Sequence, residues 1–329
     1  MLLLTKEDIK SVFTMKDAIE ADKKCYKFFS EGKAVVPLRT NIPAPAVDGS
    51  LLFMPSYIED MKAAGLKVVN IFPQNAKKGL PTTVGQVLLI DGETGVVTSV
   101  MDGTYITALR TGAASGAAFD LFGREDAKEG ALIGTGGQAP CQLEAMLSAR
   151  KLDTVRVAAR NYEKTKKFTE KMNNELAQYG AKIVACETPD EAIKGADLVA
   201  LATVSEEPVF NADSVKPGAV ISGVGSYQPN MQEIDPAIFA KAGKIYFDSV
   251  DAVLGESGDI LKPLADGSLS KDQFTGDIGD YILGNIPGRE SEDEIIVYKN
   301  VGLGALDLVA AAEVYRKAKE ASVGTKWGE

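Results

Sequence analysis

The stretch Ala131-Leu-Ile-Gly134-Thr-Gly136-Gly137-Gln138-Ala139 decides the fold of this chain. Its glycines form a GxGxxA pattern that directly follows a short apolar run and opens a predicted helix. Gly134 permits a tight turn, Gly136 lets the backbone approach a pyrophosphate, and the small Ala139 lets the helix pack on the strand. The N-terminus of the helix then faces the anion. The pattern therefore predicts a dinucleotide-binding loop, and the alternative is a mere tight turn in an α/β domain.

The sequence that follows this loop alternates between strands and helices. The predicted strands are residues 131–134, 154–158, 182–186, 198–203, 219–222 and 245–247, and the predicted helices include residues 138–151 and 162–179. Such alternation is typical of a parallel, doubly wound sheet. We therefore expect a Rossmann-type α/β domain.

The two ends of the chain show a different pattern. A predicted helix over residues 16–31 begins after Thr14 and ends at Gly32. Five predicted strands then follow one another without helices, which indicates an antiparallel sheet: residues 35–40, 51–57, 66–72, 84–90 and 96–102. Helices are predicted over 104–122, rich in small residues, and over 302–321. We expect residues 1–118 and 303–329 to form one α+β domain, with the Rossmann-type domain, residues 119–302, inserted in it.

The composition narrows the chemistry that is open to this chain. The 329 residues include no histidine, which excludes histidine-based nucleophilic triads, metal sites and acid–base catalysis. The net charge of −10 argues against binding to nucleic acid or to an anionic membrane surface. The cysteines Cys25, Cys141 and Cys186 lie far apart, so neither a disulfide framework nor a metal site is indicated. Because no signal peptide or membrane-spanning segment is predicted, we expect a cytoplasmic protein.

The end of the second predicted strand of the Rossmann-type domain sets the expected choice of cofactor. A site that prefers NAD usually has Asp or Glu there, which accepts a hydrogen bond from the ribose 2′-hydroxyl. Here the sequence is Val157-Ala158-Ala159-Arg160-Asn161, so no carboxylate competes and Arg160 can bind a 2′-phosphate. We therefore expect NADP(H) to be preferred, with NAD(H) possible. The alternative is that Arg160 is only a solvated residue at the start of a helix.

Further stretches match a known family almost end to end. They are Met54-Pro55, Gly65-Leu-Lys67-Val-Val-Asn, Gly79-Leu-Pro-Thr-Thr83, Thr107-Ala-Leu-Arg110-Thr-Gly-Ala-Ala, the GxGxxA loop, residues 229–235 and Gly302-Leu-Gly-Ala-Leu-Asp307. In this order and spacing the chain resembles the ornithine cyclodeaminase/μ-crystallin family, which also contains alanine dehydrogenases and ketimine reductases. The resemblance implies a homodimer, in which both chain ends form a substrate-binding and dimerisation domain.

The resemblance also implies a pocket for a substrate carboxylate. In the family this group is bound by an Arg or Lys of the second strand region, the GLK lysine and the TxxRT arginine, which match Arg39, Lys67 and Arg110. Three cations in one cleft of a chain with a net charge of −10 require an anionic occupant. Arg110 is expected at the start of a long helix. The positive end of the helix dipole would there add to the positive potential of the three cations. The alternative is ordinary ion pairing of these cations with Asp or Glu.

Two departures from the family pattern narrow the predicted reaction. Leu52 stands where cyclodeaminases have a Glu that handles the side-chain amine, and with Met54 it is expected to line the substrate pocket. Tyr227 corresponds to the catalytic Asp of cyclodeaminases. Leu52 makes this wall of the substrate pocket apolar. The side-chain ammonium group of a diamino acid would therefore lose its water there without gaining a partner. We therefore expect an NAD(P)H-dependent reductase of a small α-imino acid, of the Δ1-pyrroline-2-carboxylate reductase type, which transfers hydride to Cα and can run in reverse as an amino-acid dehydrogenase.

The remaining site residues take their expected roles from the same reasoning. Lys67 is the first candidate for a proton donor and Tyr227 is the second, since the chain has no histidine. Asp307 is expected to position the nicotinamide or a water, and the alternative is a carboxylate on a helix surface. The residues expected to bind the cofactor are Thr83, Arg110, Thr111, Gly134, Gly136, Gly137, Gln138, Ala139, Arg160, Asn161, Thr203, Gly225 and Ser226.

Three other functions stay open at this point. Ornithine cyclodeaminase and alanine dehydrogenase are alternatives within the family. A third alternative is an NADPH-dependent ligand-binding protein of the μ-crystallin type, without turnover. Such a binder need not keep the three cations Arg39, Lys67 and Arg110, so their presence favours an enzyme.

Overall fold

The computed structural model of the chain describes residues 1–328. The helices are α1 (Lys6–Val12), α2 (Met15–Ser30), α3 (Gly103–Phe122), α4 (Ala139–Ala149), α5 (Tyr162–Glu175), α6 (Pro189–Ile193), α7 (Val250–Glu256), α8 (Gly258–Asp266), α9 (Ile278–Ile282) and α10 (Gly304–Ala321). The strands are β1 (Leu2–Leu4), β2 (Ala34–Val35), β3 (Thr40–Ala44), β4 (Gly49–Ile58), β5 (Ala63–Ile71), β6 (Thr83–Asp91), β7 (Val97–Asp102), β8 (Glu129–Ile133), β9 (Thr154–Ala158), β10 (Lys182–Ala185), β11 (Leu198–Leu201), β12 (Val220–Gly223), β13 (Ala242–Phe247), β14 (Gly276–Asp277), β15 (Ile295–Lys299) and β16 (Thr325–Lys326).

The chain divides into two compact units. The first unit comprises Met1–Arg110 and Leu303–Glu329, and the second comprises Thr111–Gly302. The division falls within α3, whereas the predicted boundary after residue 118 lies further along the same helix. Each unit contains one sheet of its own.

The sheet of the first unit has eight strands in the order β16-β1-β7-β6-β5-β4-β2, with β3 also paired to β4. All strand pairs from β2 to β7 are antiparallel, which confirms the prediction for this part of the chain. The short strand β1 adds parallel to β7, and β16 pairs with β1. Neither of these two strands was predicted, because runs of two or three residues carry too little periodicity.

One helix, α10, covers the buried face of this sheet, and α2 packs on that helix. The helix α2 begins after Thr14, whose side chain accepts a hydrogen bond from the Asp17 backbone N–H, and this confirms its predicted start. The helix α10 packs on α2 and on strands β4, β5 and β6. A Cβ at Gly65 of β5 would lie 3.0 Å from Leu308 Cδ1 of α10, so the helix approaches that strand closely. In a strand, residues two apart share one face, so Lys67 lies on the same covered face as Gly65.

The sheet of the second unit is parallel throughout. Its order is β10-β9-β8-β11-β12-β15-β13-β14. The first five of these strands in the chain lie in the order third, second, first, fourth, fifth, which is the order of dinucleotide-binding sheets. The prediction of a Rossmann-type, doubly wound sheet is therefore confirmed. The strand order reverses between β8 and β11, and ligands of open α/β sheets bind where this happens, at the carboxyl ends of the strands.

One strand at the centre of this sheet was missed by the sequence prediction. All five residues of β15 are buried, and the strand lies between β12 and β13. Its short apolar run directly follows the acidic residues 290–294, which indicate a solvated loop. A fully buried strand has no alternation of polar and apolar residues, so periodicity alone does not identify it.

The middle of helix α3 is buried on all sides. Every residue from 109 to 119 is buried, and a Cβ at Gly112 would lie 2.5 Å from the Cys141 carbonyl oxygen. The small residues of α3 therefore allow the close approach that the sequence predicted. Among the described residues, no helix is long and apolar enough to cross a membrane.

Candidate active site

Lys67 is a charged side chain on the buried face of β5. It pairs across the sheet with Met54 of β4 and Val87 of β6, and it is 2% exposed. Burial and the neighbouring Arg110 guanidinium lower the pKa of Lys67 to about 7, although Asp307 acts in the opposite direction. Near neutral pH both forms of Lys67 are therefore populated, which suits a group that gives or takes a proton.

Asp307 connects Lys67 to Arg110. It lies in the first turn of α10 and is 1% exposed. Its Oδ2 is 2.6 Å from Lys67 Nζ, and its Oδ1 accepts a 3.2 Å hydrogen bond from Arg110 Nε. The alternative of a surface carboxylate is therefore wrong. Lys67 and Arg110 do form ordinary ion pairs, but both pair with the same acid, Asp307.

Arg110 lies in the middle of α3 rather than at its start. It is 6% exposed and stands about two turns after Gly103, the first residue of the helix. The predicted contribution of the helix dipole is therefore wrong, because that effect is confined to the first turn. Burial alone would lower the pKa of Arg110, but Asp307 and Asp22 outweigh burial and raise it, so the guanidinium stays charged.

Asp22 of α2 is a buried carboxyl beside this cluster. It is 0% exposed, and neither of its oxygens has a hydrogen-bond partner among residues 1–328. Burial raises the pKa of Asp22 well above its usual range, Arg110 opposes this effect and Asp307 adds to it. Asp307 is thus the acid that both Lys67 and Arg110 contact, whereas Asp22 accepts no hydrogen bond from either cation. We call Lys67, Arg110, Asp307 and Asp22 the cationic cluster.

Arg39, Leu52 and Met54 are the other residues predicted to bind the substrate. Arg39 is half-buried, and its charge is a smaller cause of the lowered pKa of Lys67, after burial and Arg110. Leu52 and Met54 are two residues apart on β4 and share a face, and Met54 stands opposite Lys67 in the ladder. The face of the sheet that carries Lys67 is thus apolar at both positions of β4, as predicted.

The glycine loop after β8 has the geometry of a phosphate-binding turn. Gly134 has a φ of +110°, and a Cβ there would lie 2.5 Å from the Ala202 carbonyl oxygen. A Cβ at Gly136 or Gly137 would meet nothing within 4 Å, so the space beside the loop is open. Gln138, the N-cap of α4, makes no side-chain capping bond, and its Oε1 is buried without a partner among the described residues. An anion can take the place of that cap.

The residues after β9 are the ones from which the sequence predicts the choice of cofactor. Arg160 is exposed at the carboxyl end of β9, and no Asp or Glu occurs between Ala158 and Asn161. Asn161 is the N-cap of α5, and its side chain accepts a hydrogen bond from the Lys164 backbone N–H. Ala139, at the start of α4, is fully buried, so a small residue is needed where this helix meets the sheet.

Thr203 and Gly225 follow the neighbouring strands β11 and β12, and Glu233 holds both. Glu233 Oε2 accepts hydrogen bonds from Thr203 N and Oγ at 2.8 and 3.0 Å, and Oε1 accepts one from Gly225 N at 2.6 Å. Burial raises the pKa of Glu233 to about 7, against the opposing charge of Lys299 and together with that of Asp259. We call Glu233, Asp259 and Lys299 the loop cluster.

The other residues predicted to bind the cofactor differ in exposure. The Ser226 side chain is occupied within the protein, because its Oγ donates a 2.9 Å hydrogen bond to the Met231 carbonyl. Thr111 is 8% exposed, and its carbonyl accepts a hydrogen bond from Gln142 Nε2. Thr83, at the start of β6, is exposed.

The structure brings two of the three predicted catalytic residues together. Lys67 and Asp307 are in contact in the first unit, whereas Tyr227 is half-buried and belongs to the second unit. Among the described residues, no group of three or more His, Cys, Asp or Glu side chains could hold a metal ion.

Asp22 and Glu233 are functional candidates that sequence reasoning missed. A signal for Asp22 exists, since it lies at helical spacing from Ile19 and Tyr26 on the apolar face of α2. Glu233 lies within residues 229–235, which carry part of the family resemblance, but no local pattern connects it to Thr203.

Comparison with known proteins identifies the relatives of this chain. Residues 1–322 match the ornithine cyclodeaminase/mu-crystallin family. The chain is 34% identical over 326 residues to a Delta(1)-pyrroline-2-carboxylate reductase of Bacillus cereus, with 99% of each chain covered. Its fold matches the Thermococcus litoralis Delta(1)-pyrroline-2-carboxylate reductase in complex with NADH and L-proline, with a TM-score of 0.93, 38% identity and coverage of 99% and 100%. An archaeal alanine dehydrogenase dimer with bound NAD matches with a TM-score of 0.89, 32% identity and coverage of 100% and 99%. The chain therefore belongs to the ornithine cyclodeaminase/mu-crystallin family.

Proposed function

We propose that this protein uses NAD(P)H to reduce the C=N bond of a small cyclic α-imino acid, with Δ1-pyrroline-2-carboxylate as the first substrate to test. It is an NAD(P)-dependent oxidoreductase that acts on the CH–NH or C=N bond of an α-amino or α-imino acid. The relatives with the same overall fold include a reductase of this substrate and an alanine dehydrogenase. The observation that carries the proposal is that two buried cations, Lys67 and Arg110, share the one carboxylate of Asp307.

Two buried cations on one acid favour a ligand of negative charge. Lys67 and Arg110 are both buried and share the single carboxylate of Asp307, and neither oxygen of Asp22 has a hydrogen-bond partner among the described residues. An uncompensated buried charge costs several kcal/mol, so an anion that enters the cluster is strongly favoured. A carboxylate fits because a guanidinium binds it through two parallel hydrogen bonds. Arg39 would add a third cation to this contact.

The apolar wall decides what else the substrate contains. Leu52 and Met54 offer no partner for a charged side-chain group, and a buried ammonium without a partner is costly. A ring made of methylene groups is compatible with such a wall. The wall therefore favours a cyclic imine over a diamino acid such as ornithine.

The residues of the first unit account for binding and proton transfer. When bound, NAD(P)H supplies the hydride that reduces the imine carbon. Arg39, Lys67 and Arg110 hold the carboxylate and thereby fix the neighbouring Cα. Lys67, with a pKa of about 7, donates the proton that keeps the imine nitrogen charged, and Asp307 orients the lysine. In the reverse direction the neutral amine of Lys67 takes the proton.

A direct assay tests this function. Purified protein is mixed with NADPH or NADH and Δ1-pyrroline-2-carboxylate, and the near-UV absorbance of the reduced cofactor is followed. Loss of absorbance that depends on the imine supports the proposal. Turnover only with pyruvate and ammonia would make the protein an alanine dehydrogenase, and release of proline and ammonia from ornithine would make it a cyclodeaminase. Tight NADPH binding without turnover of any of these compounds would instead support a binding protein.

We propose further that NADP(H) is preferred over NAD(H). Arg160 is exposed at the carboxyl end of β9, and no nearby residue of the turn offers a carboxylate to a ribose hydroxyl. Replacement of Arg160 by Ala should lower the NADPH/NADH ratio of kcat/KM about tenfold, because one charge-assisted hydrogen bond is lost. Lys167→Ala, an exposed cation further along α5, is the control. An unchanged ratio in Arg160→Ala would refute this assignment.

We also propose that the protein is a homodimer. Several large apolar side chains of the first unit are exposed around β2 and β3, among them Val35 at 57%, Leu38 at 83% and Ile42 at 49%. Large apolar side chains that are exposed close together in the chain are typical of an interaction surface. The alanine dehydrogenase relative is a dimer. Light scattering should give twice the chain mass for the wild type and one chain mass for a Leu38→Glu, Ile42→Glu variant. A monomeric wild type would contradict the proposal.

The proposed compartment is the cytoplasm. Cys25 and Cys141 are buried, Cys186 is half-buried, and all three are free thiols. Free thiols are typical of a reducing compartment. Fractionation of cells followed by immunoblotting tests this, and recovery from an extracellular or periplasmic fraction would contradict it.

A further inference from the structure

The loop cluster binds the ends of two neighbouring strands at the edge of the sheet where a dinucleotide binds. β11 and β12 are parallel neighbours, and Thr203 and Gly225 are the second residues after their ends. Both residues donate to the carboxylate of Glu233, which is 0% exposed. The separation of the two loops is therefore set by one side chain.

The two loops are also in direct contact. A Cβ at Gly225 would lie 1.9 Å from the Thr203 carbonyl oxygen and 2.6 Å from the Thr203 backbone nitrogen. Such distances are possible only for a residue without a side chain. The loops therefore have no room to move closer, and Glu233 prevents them from moving apart.

Glu233 is itself held by the rest of the loop cluster. Asp259 Oδ1 accepts hydrogen bonds from the backbone N–H groups of Glu233 and Ile234 at 2.7 and 2.9 Å. Lys299 Nζ lies 3.1 Å from Asp259 Oδ2 and donates to the Gly223 carbonyl at 3.2 Å. The carboxylate of Glu233 is thus fixed from behind, through α8 and β15.

A carboxylate is the chemical group that this position requires. Its two oxygens both accept, and here each accepts from a different loop. A glutamine of the same shape would turn an N–H group toward either Thr203 N–H or Gly225 N–H. Burial opposes the charge and raises the pKa of Glu233 to about 7, so a carboxylate is a costly residue merely to fill space.

We propose that Glu233 is a positioning residue for the dinucleotide, which fixes the Thr203 and Gly225 loops in the spacing that the bound cofactor needs. The inference rests on the proposed function, because it takes the carboxyl edge of this sheet as the cofactor site. Glu233 acts through these loops and is not assigned a contact with the reacting atoms.

The test compares Glu233→Gln with a matched control, Asp197→Asn. Asp197 also joins two strands of this sheet through backbone N–H groups, since its Oδ2 accepts from Lys128 N and Glu129 N at 2.8 and 2.9 Å. It does so at the amino ends of β8 and β11, the opposite edge from Glu233. Glu233→Asp is a second variant, which keeps both acceptors but is one methylene too short to reach both loops.

The measurements are the Kd for NADH by calorimetry, the KM values for NADH and for the imino acid, kcat, and the urea midpoint of unfolding. We expect the Kd and KM for NADH to rise about tenfold in Glu233→Gln and Glu233→Asp, because one backbone hydrogen bond is lost. The KM for the imino acid should stay within twofold. Asp197→Asn should lose stability and keep the wild-type Kd.

The outcomes separate this inference from the proposed function. If the wild type binds NADH and either folded Glu233 variant binds it within twofold of the wild type, Glu233 has only a structural role and the inference is wrong. An equal loss of NADH affinity in Asp197→Asn has the same meaning, since stability alone would then explain the effect. If the wild type itself binds neither NADH nor NADPH, the proposed function fails instead.

Discussion

The two buried clusters of this protein contain the same kinds of residues but use them differently. In the loop cluster the acids Glu233 and Asp259 accept hydrogen bonds from five donors, four of them backbone N–H groups, and they outnumber the one cation, Lys299. In the cationic cluster Asp22 has no hydrogen-bond partner among the described residues, and two cations share Asp307.

This difference separates a structural network from a binding site. Backbone donors are fixed by the sheet, so acids that bind them hold loops in place. Side-chain cations that share one acid keep part of their binding capacity for an incoming anion. The comparison assigns the loop cluster to positioning and the cationic cluster to the substrate.

The largest expected effect comes from the removal of a cation from the cationic cluster. Arg110→Ala should lower kcat/KM for the imino acid about 10- to 150-fold, because a charge-assisted bond to the substrate is worth about 1.5–3 kcal/mol. Steady-state kinetics of the purified variant measures this. Arg316→Ala is the control, since that guanidinium is 53% exposed and pairs with Glu313 and Glu320 of its own helix. A folded Arg110→Ala variant with the kcat/KM of the wild type would break the comparison, because the cluster would then not bind the substrate.

The next effect is a pH dependence that sharpens the role of Lys67. Because its pKa is lowered to about 7, the charged form prevails below pH 7 and is lost as the pH rises. We therefore expect kcat/KM for imine reduction to fall about tenfold for each pH unit above 7. Lys67→Arg should lower kcat/KM, because a guanidinium does not give up its proton, and the activity that remains should lack this limb, because a guanidinium stays charged throughout the range. A limb that persists unchanged in Lys67→Arg would assign it to the titration of the substrate.

The smallest expected effect concerns the stability of the first unit. The pKa of Asp22 is higher in the folded than in the unfolded state, so the folded state binds more protons and loses stability as the pH rises above about 4. Asp22→Asn cannot ionise, so its unfolding free energy should rise relative to that of the wild type between pH 5 and pH 8. Urea unfolding at both pH values measures the difference.

The exposed Asp48→Asn is the control for that measurement. A constant difference between Asp22→Asn and the wild type at both pH values would mean that Asp22 has the same protonation in the folded and unfolded states. Asp22 would then no longer distinguish the cationic cluster from the loop cluster.

Most of the fold could be predicted because its signals are local. β9 begins and ends where the sequence predicts, and the glycine loop identified the dinucleotide-binding unit. β15 could not be predicted in the same way, because a buried central strand shows no alternation.

The site was predictable only in part, because its contacts join distant positions in the chain. Lys67 and Asp307 are brought together by β5 and α10, and no spacing in the sequence relates them. The start of α3 was predicted within one residue, but the helix dipole was assigned to Arg110, which lies about two turns after that start. The link from Glu233 to Thr203 depends on which strands are neighbours, and this follows from the sheet order rather than from local sequence.

The contact between Gly225 and Thr203 limits how this protein can be engineered. Even an added methyl group at position 225 would overlap a carbonyl oxygen, and no rotation of a side chain could relieve the overlap. Any amino-acid substitution of Gly225 should therefore inactivate the protein. Useful variants must arise at positions where the neighbouring atoms can move.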